Sequence, residues 1–367
     1  MCVLCYSVRH DKNLKGLGAD GMLRRSRAPT DPKLTKRALQ LWRRAIKELH
    51  RPEEHGVHII LSPHNELTCS QELYRGCAAI MQEFDDVHAT THLLEGLHQP
   101  IGGGPPSDDP DAVSRSVKVL DECGFLTPRT TLAHCVHLTK GDMALLAQRG
   151  CCVSHNPVSN LRLGAGIADV LAMKAAGVNV GIGVDGAGSG ADDQDVLGAA
   201  KLACMLPNVK TSEYGNWLKP REVLLGMGCR CGRQAVGLCS PSLLSRAPAG
   251  AGDMSDIDDA LIAPGQVADL VLYDLSALSV LPRADPFTSI LLSGGRPAGP
   301  GAGPQIDCAW VNGKQVLAGG DSMNVDVADV RREILAAGDA VYPPANVPPD
   351  CESPFEVEYR AAVNLPL

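Results

Sequence analysis

The stretch TTLAHCVHLTKGDMALLAQRGCCVSHNP, residues 130–157, contains two short apolar runs that are separated by a longer mixed segment. The runs Thr130–Ala133 and Cys151–Ser154 are continuous rather than alternating, which is typical of strands in a parallel sheet covered on both faces. Between them, Thr139 and Asp142 predict the start of a helix, and Gly150 predicts its end. The stretch therefore predicts a strand–helix–strand unit.

The same unit recurs in both directions along the chain. Further apolar runs occur at Val57–Leu61, Val87–Thr91 and Val178–Val184, and helical segments lie between them. One helix is predicted to open at Asp31-Pro32 and another at Asp109-Pro110, where an N-cap residue precedes a first-turn proline. This alternation predicts an α/β fold, either an open doubly wound sheet or a closed barrel.

A polar side chain that can bind a metal follows each apolar run at its carboxyl end. These side chains are His64, His92, His134, His155 and Asp185. Any one of these histidines alone is more often structural, but five polar residues in phase favour a shared site. Because the strands of a (β/α)8 barrel end at one mouth, whereas an open sheet spreads them along an edge, we expect a TIM-type barrel.

Composition and charge exclude several other classes. The 367 residues include 34 Lys+Arg and 42 Asp+Glu, a formal charge of −8, so the chain lacks the basic footprint of a nucleic-acid partner. No stretch approaches the about 18 consecutive apolar residues of a membrane helix, so we expect no membrane partner. Fourteen cysteines are too dilute for a disulfide scaffold, and the first residues do not resemble a secretion signal. We therefore expect a reducing, cytoplasmic location.

The remainder of the chain differs in character from the first two thirds. We expect four segments: a partial hydrolase barrel over 1–239, a flexible Pro/Gly/Ser/Asp-rich insertion over 240–261, a small β-domain over 262–320, and a helix with a Pro-rich tail over 321–367.

The small β-domain is predicted from one strand and one hairpin. Ala268–Leu275 is the predicted strand, and Ile306–Val311 and Lys314–Leu317 flank Asn312-Gly313, the favoured pair of a type I′ turn. Val325–Ala337 is the predicted terminal helix.

Two motifs have a structural interpretation beside the functional one. In His92-x-x-Glu95, the imidazole can bind a divalent metal while the carboxylate moves protons, or the pair can be a loop histidine and a solvated glutamate. In His134-x-x-His137, the two rings straddle a strand end, so we favour His134 as functional and His137 as loop structure.

A third motif formally matches the dinucleotide-binding pattern G-x-G-x-x-G, in residues 181–186. That function requires the glycines in the turn after a strand, whereas Gly181 and Gly183 lie inside the apolar run. We therefore reject it and expect these glycines to permit close backbone packing, with Asp185 as an anionic ligand or base.

Assembled, these residues resemble the amidohydrolase superfamily, in particular the branch of guanine, 8-oxoguanine, cytosine and methylthioadenosine deaminases and triazine hydrolases. The matching pieces are Pro63-His64 with Thr68, His92-x-x-Glu95, Ala133-His134, His155-x-Pro157-x-Ser159-Asn160, Gly183-x-Asp185-Gly186 and the run Pro264–Leu272. Together they cover roughly 57 to 317, and as an ordered set they are highly specific.

The resemblance implies a metal-dependent hydrolase on a (β/α)8 barrel with a small β element from a β-sandwich. It acts on non-peptide carbon–nitrogen bonds and deaminates a small aminated heterocycle of the purine, pyrimidine, pterin or triazine type. One divalent ion, Zn or Fe, is implied as cofactor, and a homo-oligomer is a further possibility.

The resemblance also implies roles for individual residues. The metal ligands are His92 and Asp185, and the catalytic residues are Glu95, His134 and Asp185. The substrate-binding residues are His64, His155 and Asn160.

The chain departs from the family in one respect. The family uses an H-x-H pair after strand 1, and no H-x-H occurs in the 367 residues. Three βα units need about 90 residues, but only 56 residues precede Val57. We therefore expect the barrel to lack its first strands and Val57–Leu61 to form an open edge.

Three alternatives follow for the function. The chain can be a truncated form of an active enzyme, or a catalytically inactive relative that acts as a binding or scaffold module. A barrel hydrolase of phosphate esters would need a phosphate-cradling turn, for which 186–190 is a weak candidate without a nearby Arg or Lys. We favour the enzyme, because a protein without chemistry does not need polar groups at five strand ends.

Overall fold

The computed structural model describes residues 2–8, 32–52, 57–65, 69–96, 109, 111–186, 194–238, 262, 264, 267–281, 285–293 and 305–341. The chain divides into two compact units, each treated by itself. The first contains, in order, β1 (Cys2–Val8), α1 (Pro32–Leu49), β2 (Val57–Pro63), α2 (Gln71–Glu83), β3 (His88–Leu93), α3 (Arg115–Glu122), β4 (Thr130–His134), α4 (Lys140–Arg149), β5 (Cys152–His155), α5 (Pro157–Arg162), α6 (Val170–Ala175), β6 (Asn179–Ile182), α7 (Val196–Met205), 3-10 turns at Leu206–Lys210 and Tyr214–Asn216, a π-helix (Glu222–Cys231), α8 (Gly232–Ala235) and α9 (Pro286–Ser293).

The strands of the first unit form one six-stranded sheet in the order β1-β2-β3-β4-β5-β6. Every neighbouring pair is parallel; for example, Leu132 lies opposite Thr91 on one side and Val153 on the other. Consecutive strands that are always neighbours are the arrangement of a barrel wall, since a doubly wound sheet reverses its order. The α/β prediction is confirmed, and within the described residues the barrel is not closed.

The prediction that Val57–Leu61 is an open edge is wrong. Strand β1 pairs with it in parallel, from Cys2 opposite Val57 to Val8 opposite Pro63. The strand Cys2–Val8 is not among those that the sequence predicts. A parallel pair needs a long crossover, so no local turn signal marks the two strands as partners.

Helix α1 shows how the sequence pattern builds the core. Its residues Ala38, Trp42 and Ile46 are buried and spaced four apart, so they share one face of the helix. This face joins the hydrophobic cluster that contains Leu61 of β2 and Leu73 of α2.

One helix start is correctly predicted and another is not. Thr139 and Asp142 form the full capping box of α4. The helix predicted to open at Asp109 instead begins at Arg115, where the Ser114 hydroxyl accepts from the Val117 N–H. The Asp109 carboxylate accepts from the Asp111 N–H at 2.9 Å, because aspartate also caps short turns.

Asp142 ties the beginnings of two helices together. The residue is fully buried, and its carboxylate accepts from the N–H of Thr139 at 3.0 Å and from the N–H of Ser114 at 2.7 Å. We expect Asp142→Ala to lower the free energy of unfolding by about 2–4 kcal/mol, because two N–H groups lose a charged acceptor. Urea denaturation measures the change, and Asp142→Asn, which keeps one acceptor oxygen, should lose about half as much. An Ala variant as stable as wild type would contradict this account.

Several cysteines lie in the interior as free thiols, among them Cys77, Cys123, Cys151 and Cys204. Burial raises the pKa of each, that of Cys151 to about 12, so these thiols are protonated at neutral pH and are poor metal ligands. Among the residues that the structure describes, no helix combines the length and the apolar character needed to span a bilayer.

The second unit contains β7 (Leu270–Asp274), a 3-10 turn (Leu278–Val280), β8 (Gln305–Val311), β9 (Lys314–Ala318), β10 (Asp321–Ser322) and α10 (Val327–Val341). Its antiparallel sheet has the order β10-β9-β8-β7. Asn312 and Gly313 both have positive φ, 50° and 76°, as the predicted type I′ turn requires. The predicted strand, hairpin and terminal helix are confirmed. The segments 187–193, 239–261 and 342–367, and Thr68, lie outside the described residues.

Candidate active site

Three of the four predicted strand-end histidines stack in a row. The ring centroids of His64 and His92 are 4.9 Å apart with 28° between the planes, and those of His92 and His134 are 5.4 Å apart with 18°. His92 lies inside β3, not after it, because this strand extends to Leu93. The carboxyl ends of β2, β3 and β4 thus bring these side chains together, as the barrel prediction requires.

The backbone of His64 determines which nitrogen of His92 is available. The His64 carbonyl accepts from the backbone N–H of His92 at 3.0 Å and lies 2.6 Å from its Nδ1. A carbonyl oxygen can only accept, so Nδ1 carries a proton, and in the neutral form of the ring Nε2 presents its lone pair. A backbone carbonyl on the second nitrogen is the usual support of a metal-binding histidine.

The His64 carbonyl is itself held by a residue that the sequence did not indicate. The Thr91 hydroxyl donates to this carbonyl at 3.3 Å and is 2.9 Å from the Tyr74 hydroxyl on α2. Tyr74 lies in an ordinary amphipathic helix, so no motif could have shown its role.

His134 faces two carboxylates. Its Nε2 is 3.8 Å from Glu95 Oε1 and 3.9 Å from Asp185 Oδ2, and its Nδ1 is 2.9 Å from Asn160 Oδ1. The two carboxylate distances exceed those of hydrogen bonds, so a water or substrate atom can bridge these groups. The imidazole is 1% exposed, whereas both carboxylate side chains are 19% exposed. The carboxylates therefore lie between the buried ring and the solvent-accessible side.

Backbone conformation aims the two central residues of this group. His134 has φ 72° and Asp185 has φ 65°, the left-handed region that non-glycine residues seldom adopt. Such strain costs about 1 kcal/mol or more per residue and is concentrated at functional sites. Asp185 follows β6 by three residues, and its carboxylate accepts from Ser159 Oγ at 2.6 Å and from the Gly186 N–H at 2.7 Å.

The glycines before Asp185 permit close packing, as predicted. A Cβ atom on Gly183 would lie 2.1 Å from Asn156 Oδ1 and 2.4 Å from Ser154 Oγ, and one on Gly181 would lie 3.3 Å from the backbone N of Gly232. A side chain at either position would collide with or crowd these neighbours, so both glycines allow the strand to pack closely against them.

The fourth and fifth predicted polar residues behave differently from each other. Asp185 joins the group around His134, whereas His155 lies deeper and is 2% exposed. Burial, and secondarily the nearby His134, lower the pKa of His155 to about 4, so its ring is neutral at pH 7. Its Nδ1 has no hydrogen-bond partner among the described residues. His137 donates from Nε2 to the Ala165 carbonyl at 2.9 Å, which agrees with its predicted structural role.

His155 makes the stability of the fold depend on pH. Because its pKa is about 4 in the folded chain and about 6.5 when exposed, the unfolded state binds more protons between these values. His155 therefore does not lower the free energy of unfolding above pH 6.5. As the pH drops from 6.5 to 4, protonation of this residue in the unfolded state lowers that free energy by about 3 kcal/mol. Urea denaturation at several pH values should show a shallower acid loss for His155→Gln than for wild type.

His88 provides the comparison for this experiment. Burial, then Arg129, lower the pKa of His88 to about 4 as well, so its part of the acid loss persists in His155→Gln. Parallel curves for wild type and His155→Gln would contradict the assignment of His155.

The described part of this site offers donor atoms of the right chemistry for a divalent metal, but too few of them for a complete zinc site. His92 offers a neutral imidazole Nε2 and Asp185 a carboxylate, whereas a catalytic zinc normally takes three protein ligands. Among the described residues, no group of three or more His, Cys, Asp or Glu side chains is arranged to hold a metal ion. Metal binding by His92 and Asp185 therefore stays a prediction.

Comparison with known proteins assigns this chain to a protein family. The model of the amidohydrolase family matches residues 9–238, more than half of the chain. The chain therefore belongs to the amidohydrolase family, as its resemblance in sequence indicated.

Two curated relatives within this similarity are deaminases. The 5'-deoxyadenosine deaminase of Methanothermobacter thermautotrophicus is 31% identical over 284 residues, which cover 76% of this chain and 57% of the relative. The 8-oxoguanine deaminase of Pseudomonas aeruginosa is 29% identical over 304 residues, which cover 81% of this chain and 59% of the relative. The chain thus spans less than two thirds of the length of either relative.

The fold has a counterpart among solved structures. A mutant of the atrazine chlorohydrolase TrzN from Arthrobacter aurescens TC1, complexed with zinc and atraton, matches with a TM-score of 0.67 and 23% identity, over 82% of this chain and 60% of that one. This match supports the barrel architecture. The relatives are named as enzymes, which gives no support to an inactive binding or scaffold protein.

Proposed function

We propose that this site hydrolyses a carbon–nitrogen bond of an aminated heterocycle and releases ammonia. The observation that carries the proposal is the approach of Glu95 and Asp185 to the same nitrogen of His134, at 3.8 and 3.9 Å. Hydrolysis of an amine needs groups that move at least two protons around one carbon, and two carboxylates beside an imidazole meet this need. The named relatives act on 5'-deoxyadenosine and 8-oxoguanine, so a purine-type substrate is our first candidate, with pyrimidines, pterins and triazines next.

The proposal includes a divalent ion, Zn or Fe, held by His92 Nε2 and the Asp185 carboxylate. Support comes from the tautomer of His92, which the His64 carbonyl fixes, and from the fold shared with a zinc-bound structure. When bound, such an ion lowers the pKa of a water toward ~7 and so supplies hydroxide at neutral pH.

The protein groups then balance the protons of the reaction. Asp185 accepts a proton from the attacking water, whose oxygen bonds to the ring carbon. Glu95 gives a proton to the adjacent ring nitrogen, and Asp185 later passes its proton to the amine. The carbon–nitrogen bond breaks and ammonia leaves, while the hydroxyl on the attacked carbon returns its proton to Glu95. The product is therefore a carbonyl beside a protonated ring nitrogen, and both carboxyl groups are back in their starting states.

Three histidines and Asn160 position the substrate in this scheme. His134 orients the attacked group between the carboxylates, and His64, His155 and Asn160 supply contacts to the ring. His155 is suited to this role because its neutral ring has an unused Nδ1 among the described residues. We also propose a reducing, cytoplasmic setting, which the buried thiols support.

Ammonia release from a substrate panel tests the function. The panel contains 5'-deoxyadenosine, 8-oxoguanine, and one aminated pyrimidine, pterin and triazine, each with added Zn²⁺ or Fe²⁺. We expect release from at least one purine-type compound, and its loss on chelation. Release no faster than from the Asp185→Asn variant, for every compound and metal, would overturn the proposal.

A further inference from the structure

We infer that Ser159 and Asn160, which are adjacent in helix α5, are positioning residues that orient Asp185 and His134 for the reaction. This inference deepens the proposed function and rests on it. Neither residue is needed to touch the reacting atoms, because each acts through the side chain that it holds. For Asn160 this role, through Oδ1, comes in addition to the ring contact proposed above.

Asn160 sets the tautomer of His134. Its Oδ1 lies 2.9 Å from His134 Nδ1, and both side chains are 1% exposed, so water does not compete for the bond. Because an amide oxygen can only accept, Nδ1 carries the proton and Nε2 is turned toward Glu95 and Asp185. The reverse orientation of the amide would put the proton on Nε2, so the orientation of Asn160 decides what His134 offers to the site.

Ser159 fixes the carboxylate that faces this nitrogen. The residue is fully buried, and its hydroxyl donates at 2.6 Å to Oδ2 of Asp185, the same oxygen that lies 3.9 Å from His134 Nε2. The Gly186 N–H binds the other oxygen at 2.7 Å. Both oxygens are thereby anchored, which prevents rotation of the carboxylate away from His134.

The start of α5 explains how consecutive residues reach two different strands. Pro157 occupies the first turn of the helix, where its fixed φ suits the conformation, and the Asn160 N–H donates to the Asn156 carbonyl at 3.0 Å. Successive residues of a helix point about 100° apart, so residues 159 and 160 diverge. One helical turn therefore holds His134, at the end of β4, and Asp185, after β6, at a constant separation.

A purely structural role for these residues makes different predictions from a positioning role. Structural removal of a buried polar group lowers stability but has no reason to change the tautomer of His134 or to lower kcat selectively. The test uses the full chain and reads both properties.

The first measurement is NMR of the imidazole nitrogens in ¹⁵N-histidine-labelled protein, with His134 assigned by its loss in His134→Gln. We expect the Nδ1–H pattern in wild type, a shift toward Nε2–H in Asn160→Leu, and recovery in Asn160→Asp, which keeps an acceptor oxygen. The ¹³Cγ resonance of Asp185, assigned by its loss in Asp185→Asn, should move in Ser159→Ala and recover in Ser159→Thr.

The second measurement is steady-state ammonia release. We expect Ser159→Ala and Asn160→Leu to lower kcat about 10–100-fold with little change in KM, the usual cost of losing a group that supports a site residue. Ser116→Ala, which removes another buried hydroxyl in helix α3, is the matched control and should keep kcat within about twofold.

The outcomes separate the two proposals. If wild type releases no ammonia, the proposed function fails, while the NMR signals still decide whether Ser159 and Asn160 orient their partners. The inference is overturned if the His134 pattern is unchanged in Asn160→Leu and the Asp185 resonance is unchanged in Ser159→Ala. Equal loss of kcat in the two variants and in Ser116→Ala would also overturn it.

Discussion

Asp185→Asn should lower kcat/KM for ammonia release by about 10³-fold or more. General acid–base catalysis by one positioned group contributes about 10²–10⁴-fold, and Asp185 is proposed both to move the proton of the water and to bind the metal. Asparagine keeps the size and the hydrogen bonds to Oδ1, so the fold should persist while the proton acceptor is lost. The variant is measured on whichever panel compound wild type converts fastest, with and without added Zn²⁺.

Asp121→Asn is the matched control for this substitution. The Asp121 carboxylate also accepts a hydrogen bond, from Arg149 Nε at 2.6 Å, but it is half-buried and has no part in the proposed reaction. The Arg149 guanidinium holds the pKa of Asp121 below its usual value, so the control removes a carboxylate that is also charged at neutral pH. Comparable rates for Asp185→Asn and wild type would contradict the assigned role of Asp185.

His92→Gln should weaken the binding of Zn²⁺ by about 10²-fold or more, since a ligand is lost outright whereas loss of its supporting groups alone costs about 10–100-fold. Glutamine occupies part of the space between His64 and His134 and so limits collapse of the stack. Titration calorimetry with Zn²⁺ at pH 7.5 measures the affinity, and ammonia release should fall in parallel.

His137→Gln is the comparison for metal binding. Its imidazole donates to a backbone carbonyl in a loop and is not proposed as a ligand, so Zn²⁺ affinity should remain that of wild type. Wild-type protein without measurable Zn²⁺ or Fe²⁺ binding would contradict the metal part of the proposal. A loss that is equal in both histidine variants would contradict the role of His92 in particular.

Much of the fold follows from local pattern. The continuous apolar runs at 130–133 and 151–154 became β4 and β5, and helix α4 begins at Thr139 and Asp142 as predicted. Features that depend on a distant partner were not predicted. The strand Cys2–Val8 has no local sign of its neighbour 55 positions later. For helix α3 the sequence offered two N-cap candidates, and the structure uses Ser114 and not Asp109. Local chemistry at Asp109 favoured a turn as strongly as a helix.

The sequence by itself determined the parallel α/β architecture and the residue types at the strand ends, because both depend on periodicity and on neighbours a few positions away. Only the tertiary structure decided how those residues are used: which nitrogen of His92 and His134 carries the proton, and which side chain holds Asp185. The partners that decide this lie 28, 26 and 26 positions away in the chain. They meet only when successive βα units pack side by side, so their hydrogen bonds have no counterpart in any local pattern.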